Sequence, residues 1–235
     1  MLDAHLFARS RAYVETTATP REALPAVTGV SQAVLDAIAD EGAMPAPTYT
    51  IFDNAIVSPI ATLGSPHEGE VGREYFCPSV LGWLKHAALL QQSKQATAPA
   101  LEAAFADSFR SALRRQVGAA CLYAWRRLFR PNGELNDTAV DEEVRNLSAD
   151  WMNGGWAVCL RKWDGHHVVT KDLERARIAF ITEDGKRKTL RRADQHTLRD
   201  AIARLDAVIL PFAPHERPHG TPGLFIDRMR DRYGV

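Results

Sequence analysis

Residues 20–47 read Pro20-Arg-Glu-Ala-Leu-Pro-Ala-Val-Thr-Gly-Val-Ser-Gln-Ala-Val-Leu-Asp-Ala-Ile-Ala-Asp-Glu-Gly-Ala-Met-Pro-Ala-Pro47. The pattern is that of a helix-turn-helix: an apolar helix, a tight Thr28-Gly29-Val30 turn, and a second helix opened by Ser31 as its N-cap. The shape of a DNA reader is there, but its chemistry is missing. Between Ser31 and Gly42 there is no Lys or Arg, while Asp36, Asp40 and Glu41 are acidic. A recognition helix reads base edges with Arg, Lys, Asn or Gln beside a phosphate backbone that repels carboxylates, and only Gln32 meets that need.

Working outward, residues 3–16 form a short amphipathic stretch expected to pack on the helix-turn-helix. Downstream, Thr48-Tyr-Thr-Ile-Phe-Asp-Asn-Ala-Ile-Val57 places β-formers on both sides of an Asp53-Asn54 turn signal and predicts a hairpin. A hairpin directly after a helix-turn-helix is the wing of a winged helix. Residues 58–76, with Pro59, Gly64, Pro66, Gly69 and Gly72, read as an irregular connection. The expected division is a winged helix-turn-helix-like domain over 1–72 and an α-helical, bundle-like domain over 73–235.

The second part is read from helical periodicity. Pro78 suits a first helical position, with Val80, Leu81, Leu84 and Ala88 on one face. Leu101, Phe105, Phe109, Leu113 and Val117 recur four apart, and the pattern runs on through Cys121, Trp125 and Leu128, with Gly118 a kink or break. A helix after Asp137-Thr138 presents Val140, Val144, Leu147 and Trp151 and stops at Asn153-Gly154-Gly155. Trp156-Ala-Val-Cys-Leu160 is a short strand or a buried helical turn. Helices are expected over 170–182 and 194–210, and Thr221-Pro222 opens the last one. The fold class is mostly α with one small β-hairpin.

Lys plus Arg equals Asp plus Glu, 29 against 29, so no global field draws the chain to nucleic acid or anionic lipid. The cysteines Cys77, Cys121 and Cys159 are odd in number and widely spaced, which implies neither a disulfide framework nor a zinc site. No signal-peptide pattern and no apolar run of membrane-spanning length is present, so a cytoplasmic location is expected. Signatures for phosphate loops, dinucleotides, serine hydrolases and metalloproteases are absent; neither a cofactor-binding nor a metal site is expected, and the cofactor is left unknown.

Four constellations remain. Phe212-Ala-Pro-His-Glu-Arg-Pro-His219 packs two imidazoles, a carboxylate and a guanidinium into one Pro-bounded loop. His215 beside Glu216 suits a tuned general base, and Arg217 suits an anion anchor; the alternative is a loop in which Glu216 and Arg217 staple the last helix. Cys159, followed by Arg161 and Lys162, is either a buried inert thiol or a nucleophile activated by those charges, and Arg161 is a candidate ligand contact. The arginines Arg110, Arg114, Arg115, Arg126, Arg127 and Arg130, with Tyr123 and Trp125 among them, suit an acidic carrier domain or single-stranded nucleic acid, or form solvated helix surface. Tyr75 and Phe76 before Pro78 read as a hydrophobic staple.

Pro45-Ala-Pro-Thr-Tyr49, Glu74-Tyr-Phe-Cys-Pro78 ahead of Leu81-Gly-Trp83, Met152-Asn-Gly-Gly-Trp-Ala-Val-Cys-Leu-Arg161 and Phe212-Ala-Pro-His-Glu-Arg217 occur here in that order. Together they resemble an uncharacterised bacterial family labelled natural product biosynthesis proteins, domain-of-unknown-function family 6058, with departures at Trp156 and Leu160. The resemblance implies a role in secondary metabolism and supplies no catalytic residue. The helix-turn-helix is also similar to that of mercury-resistance-type regulators, whose second helix ends as Glu41-Gly42-Ala43-Met44-Pro45 does here. The expected function is binding or modifying a small-molecule or carrier-bound intermediate, with DNA and membranes not expected as partners. The alternatives are a transcriptional regulator with a helical effector domain and a protein-interaction adaptor.

Overall fold

A computed structural model describes residues 3–95, 97–115 and 125–235. Cys121, Tyr123, Val117 and Gly118, and the helix expected to continue through them, lie outside the described residues. Along the chain run α1 (Ala4–Thr17), β1 (Thr19–Pro20), α2 (Leu24–Thr28), α3 (Gln32–Asp40), β2 (Tyr49–Ile51), β3 (Ala55–Val57), β4 (Thr62–Gly64), β5 (Arg73–Phe76), α4 (Pro78–Gln92) and α5 (Thr97–Arg115). They are followed by α6 (Asp137–Met152), α7 (Gly155–Cys159), α8 (Gly165–Thr182), α9 (Arg192–Val208), a π-turn (Gly223–Asp227) and α10 (Arg228–Tyr233). The chain is mostly α, with one small antiparallel sheet.

The residues cluster into two compact units. The first comprises Met1–Ala104, Asn146–Trp163 and Phe212–Glu216; the second comprises Phe105–Arg145, Asp164–Pro211 and Arg217–Val235.

In the first unit two helices, α2 and α3, flank the turn expected at Thr28-Gly29-Val30. Gly29, at φ 73, ends α2 in the left-handed region, where a side chain would be strained. Ser31 occupies the N-cap position of α3 in extended conformation, and its carbonyl rather than its hydroxyl takes the first helical N–H bonds, from Val34 at 3.1 Å and Leu35 at 3.0 Å. The buried faces of α2, α3 and α4 contribute Leu24, Leu35, Ile38, Val80 and Leu84 to one core with Phe76 and Trp151. Trp163 stacks on Trp151 with ring centroids 4.6 Å apart, and Trp83 packs on the same indole from elsewhere.

The sheet corrects one expectation. Its order is β1-β5-β2-β3-β4, antiparallel throughout, so residues 58–76 supply two strands rather than an irregular connection. Two of the glycines in this stretch permit close approach: a Cβ at Gly64 would sit 2.0 Å from the Asn54 carbonyl oxygen, and one at Gly72 would sit 2.4 Å from the Thr50 side chain. A boundary at residues 72–73 runs between β4 and β5 of this one sheet. The β2–β3 hairpin expected around Asp53-Asn54 is present, with Thr50 opposite Val57.

The second unit is built on the packed pair α8 and α9, which bury Leu173 and Ile178 on one side and Leu198, Ile202 and Leu205 on the other. Gly165 opens α8 against the backbone of α5, where a Cβ would meet Phe109 N at 2.2 Å. Trp156–Leu160 resolves as a helical turn, α7, in the first unit.

Candidate functional site

The 212–216 loop is folded by its own backbone. Phe212 is buried with φ 66, a conformation a bulky side chain adopts only under constraint from its surroundings. Immediately after it, the Glu216 N–H donates to the Ala213 carbonyl at 2.9 Å, and the Ala213 N–H donates back to Glu216 Oε2 at 3.3 Å. This closed turn drives the Glu216 side chain inward, where it is fully buried.

Two further donors reach that carboxylate from the sheet region. The Tyr49 hydroxyl donates to Oε2 at 2.8 Å, and Ser58 Oγ makes a short bond to Oε1. Ser58 Oγ also accepts the N–H groups of Ile60 at 3.3 Å and Ala61 at 3.2 Å, so it fixes the turn after β3 and its lone pairs are engaged. Among the described residues, His215 is the only cationic side-chain type within 4 Å of Glu216. Desolvation raises the Glu216 pKa above the ordinary carboxylate value, while the bonds from Ser58, Tyr49 and Ala213 pull it back.

His215 sits with its Nε2 3.9 Å from Glu216 Oε1, beyond hydrogen-bonding distance, and its side chain is 4% exposed. Among the described residues, neither ring nitrogen has a hydrogen-bond partner. Burial lowers its pKa to about 4, so the ring is neutral at physiological pH, with one N–H donor and one acceptor nitrogen. A buried polar group without a partner costs about 1–3 kcal/mol, and this ring presents two.

Cys77, at the start of α4, and the hydroxyl of Tyr13 on α1 lie within electrostatic reach of Glu216. Burial pushes the Cys77 thiol up to about 12, which leaves no thiolate at neutral pH. The Tyr49 and Tyr13 phenols are raised by burial as well, Tyr49 also by Glu216 and Tyr13 also by Cys77. Cys159 is the last residue of α7, buried, and close enough to Cys77 to raise its pKa further. Around the Glu216 carboxyl, the imidazole, thiol and phenols of this centre are therefore uncharged at neutral pH and poor nucleophiles.

Of the residues singled out in sequence, His215, Glu216 and Cys159 fall in the first unit, and Arg161 lies there too, on its surface. The 154 segment meets the same turn as the carboxylate does, since a Cβ at Gly154 would lie 3.1 Å from Pro59 Cγ. Arg217 belongs to the second unit, where its Nε and Nη2 grip the two Asp227 carboxylate oxygens at 2.7 Å each and its Nη1 reaches the Pro211 carbonyl at 2.6 Å. That is the staple geometry. Tyr13, Tyr49, Ser58 and Cys77 carried no sequence signal for this site: uncharged residues in strands, turns and helix starts read as core.

Elsewhere in the second unit, Arg110 pairs with Asp141 and Arg127 with Glu143, so two members of the arginine cluster are engaged by carboxylates. A hollow of about 600 Å³ is lined by Phe180, Ile181, Arg187, Thr189, Arg191 and Asp194, but Arg187 there is shared by Glu183 at 2.9 Å and Asp194 at 3.7 Å. No group of three or more His, Cys, Asp or Glu suited to a metal occurs among the described residues, and no described helix is long and apolar enough to cross a membrane.

No curated protein and no solved structure gives a significant match to this chain. A family model does match, over residues 101–234, a stretch that contains Cys159, His215 and Glu216 while Tyr13, Tyr49, Ser58 and Cys77 precede it. That match covers more than half of the sequence, and the chain belongs to the family so described, a family of unknown function (DUF6058).

Proposed function

We propose that this protein works in the cytoplasm in a natural-product pathway, binding or modifying a small-molecule or carrier-bound intermediate at the buried polar centre of its first unit. The observation that carries the reading is His215: an imidazole 4% exposed, beside a buried carboxylate, with both nitrogens unpartnered. Native interiors satisfy their polar groups, and an orphaned pair at one position is the mark of a place kept for a ligand or an ordered water.

In this reading the winged-helix-like portion is a scaffold. On α3 the Gln32 amide donates to Asp36 at 2.7 Å, so the one side chain suited to base reading is engaged by a carboxylate. Arg21 and Arg73 beside the helix-turn-helix are paired with Glu74 and Glu22. A regulator would need those cations facing phosphate.

The test is genetic and biochemical together. Deleting the gene is expected to abolish or alter one secondary metabolite while transcription of neighbouring genes holds steady, and reintroducing His215→Phe is expected to leave the defect in place. Restored metabolite with His215→Phe, or salt-sensitive binding of the protein to upstream DNA with altered transcription, would overturn the reading.

A further inference from the structure

We propose that the His215–Glu216 pair is a receptor for a primary amine, whose nitrogen bridges His215 Nε2 and Glu216 Oε1. The inference rests on the small-molecule reading above and deepens it by naming the ligand chemistry.

The argument is one of hydrogen-bond valence and charge. Glu216 Oε2 accepts from Tyr49 and Ala213, whereas among the described residues Oε1 accepts from Ser58 alone, which leaves it capacity for a second donor. The two facing atoms are 3.9 Å apart, too far for a bond to each other. An atom ~2.8 Å from both, subtending roughly 90° at itself, completes two bonds of ordinary length. Where Nε2 is the acceptor nitrogen of the neutral imidazole, that atom needs two N–H or O–H donors, one for the ring and one for the carboxylate.

An alkylammonium has three, of which the third stays with the ligand or a water. A hydroxyl has one, so it can satisfy Glu216 but must then accept from His215, and it brings no charge. Charge is the second strand of the argument. Among the described residues no Lys or Arg lies within 4 Å of the buried Glu216, and a buried carboxylate lacking a cation is destabilising until one arrives. An ammonium supplies that cation; a carboxylate or phosphate ligand would add a second anion beside the first.

The position also suits access. Ser58 is half-buried and Pro59 and Ile60 beside it are exposed, so the carboxylate lies one turn of chain beneath the surface.

The experiment uses the full-length chain, labelled with 15N at histidine and at backbone amides, and three probes of equal length: butylamine, butan-1-ol and butyrate. His215→Phe, which preserves a ring in the same space, assigns the His215 resonances. Butylamine is expected to move the His215 ring and Ser58 amide signals, with butan-1-ol and butyrate at least tenfold weaker. Glu216→Gln is expected to weaken butylamine at least tenfold, and His215→Phe to abolish the response at the Ser58 amide while its spectrum remains that of a folded protein. If butan-1-ol or butyrate binds at His215 as well as butylamine does, the small-molecule site stands and the amine assignment falls. If none of the three probes moves His215, both fall. Should Glu216→Gln fail to fold, the His215→Phe comparison decides: an undiminished butylamine response at Ser58 overturns the proposal.

Discussion

Glu174 in the second unit and Glu216 in the first are each 2% exposed, yet their surroundings differ in kind. Glu174 is clamped by Arg177 at 3.0 and 3.1 Å and by Arg204 at 2.8 and 3.2 Å, so four charge-assisted bonds and two guanidinium groups offset its desolvation. Glu216 receives only neutral donors, and the imidazole beside it is kept uncharged by burial. The first arrangement holds α8 to α9 and leaves nothing over. The second leaves an oxygen lone pair and two ring nitrogens without partners. Equal burial thus separates a structural carboxylate from a candidate site once the partners are counted.

The largest effect that distinction predicts is at Glu174. Glu174→Ala removes the buried carboxylate shared by Arg177, whose side chain is 18% exposed, and Arg204, which is already 45% exposed. Breaking a buried pair costs about 3–5 kcal/mol, and the partial exposure of Arg204 puts the expected loss at the lower end, about 3 kcal/mol. In a chain of this size that lowers the melting temperature by roughly 6–12 °C. A loss below about 1 kcal/mol in thermal unfolding would erase the contrast between the two carboxylates.

Next is the pH dependence of His215. Its folded pKa of about 4 lies below the ordinary 6.5, so between these values the unfolded chain binds a proton that the native protein does not. Native stability therefore falls as the pH drops from 6.5 to 4, by about 3 kcal/mol, and does not change further from this source below 4. Glu216 works in the opposite direction: its raised pKa favours the native state at low pH and that benefit is lost as the pH rises through the folded value. The difference between wild type and His215→Phe isolates the histidine. The variant should be more stable at pH 7, where it removes two unpartnered nitrogens, and the gap should widen towards pH 4. Parallel stability curves would mean that His215 is solvated in the native protein.

How far these contrasts were legible in sequence depends on the range of the interaction. Periodicity located α1, α2, α3, the β2–β3 hairpin and the apolar faces of α4, α5 and α6, because 2- and 3.6-residue spacings are local. It missed β4 and β5, short strands beside which Gly64 and Gly72 serve close packing. The loop motif at 212–219 drew attention to His215 and Glu216 through its local density of polar groups, but gave no sign of which were buried. The partners that define the site lie far away in the chain: Tyr49 is 167 residues from Glu216 and Ser58 is 158. No pattern within one element encodes such a pairing. The same limit applies to Arg217, which is adjacent to Glu216 in sequence but bonded to Asp227 in the second unit.

That adjacency gives the third test. Arg217→Ala removes a bidentate ion pair of intermediate exposure together with a bond to the Pro211 carbonyl. The expected loss is ~1–2 kcal/mol, a fall in melting temperature of several degrees, with the butylamine response of His215 unchanged. If binding disappeared while the melting temperature held, Arg217 would be a ligand contact and the two neighbouring residues would share one role.

The smallest expected effect sharpens the description of Glu216 itself. Tyr49→Phe deletes one of its three donors without changing the shape of a side chain that is 0% exposed. A carboxylate locked in its charged form would lose a charge-assisted bond and be left less solvated still, a penalty comparable to that at Glu174. Glu216 has another course, since desolvation already holds its pKa above the ordinary value and losing Tyr49 raises it further. Uptake of a proton then limits the penalty to that of a neutral hydrogen bond, about 1 kcal/mol. The expected result is a fall in melting temperature of roughly 2–4 °C at pH 7, shrinking on acidification as Glu216 protonates in both proteins. A loss as large as that of Glu174→Ala, unchanged by acidification, would mean that Glu216 stays charged through its neutral donors alone, and the two buried carboxylates would then differ only in the identity of their partners.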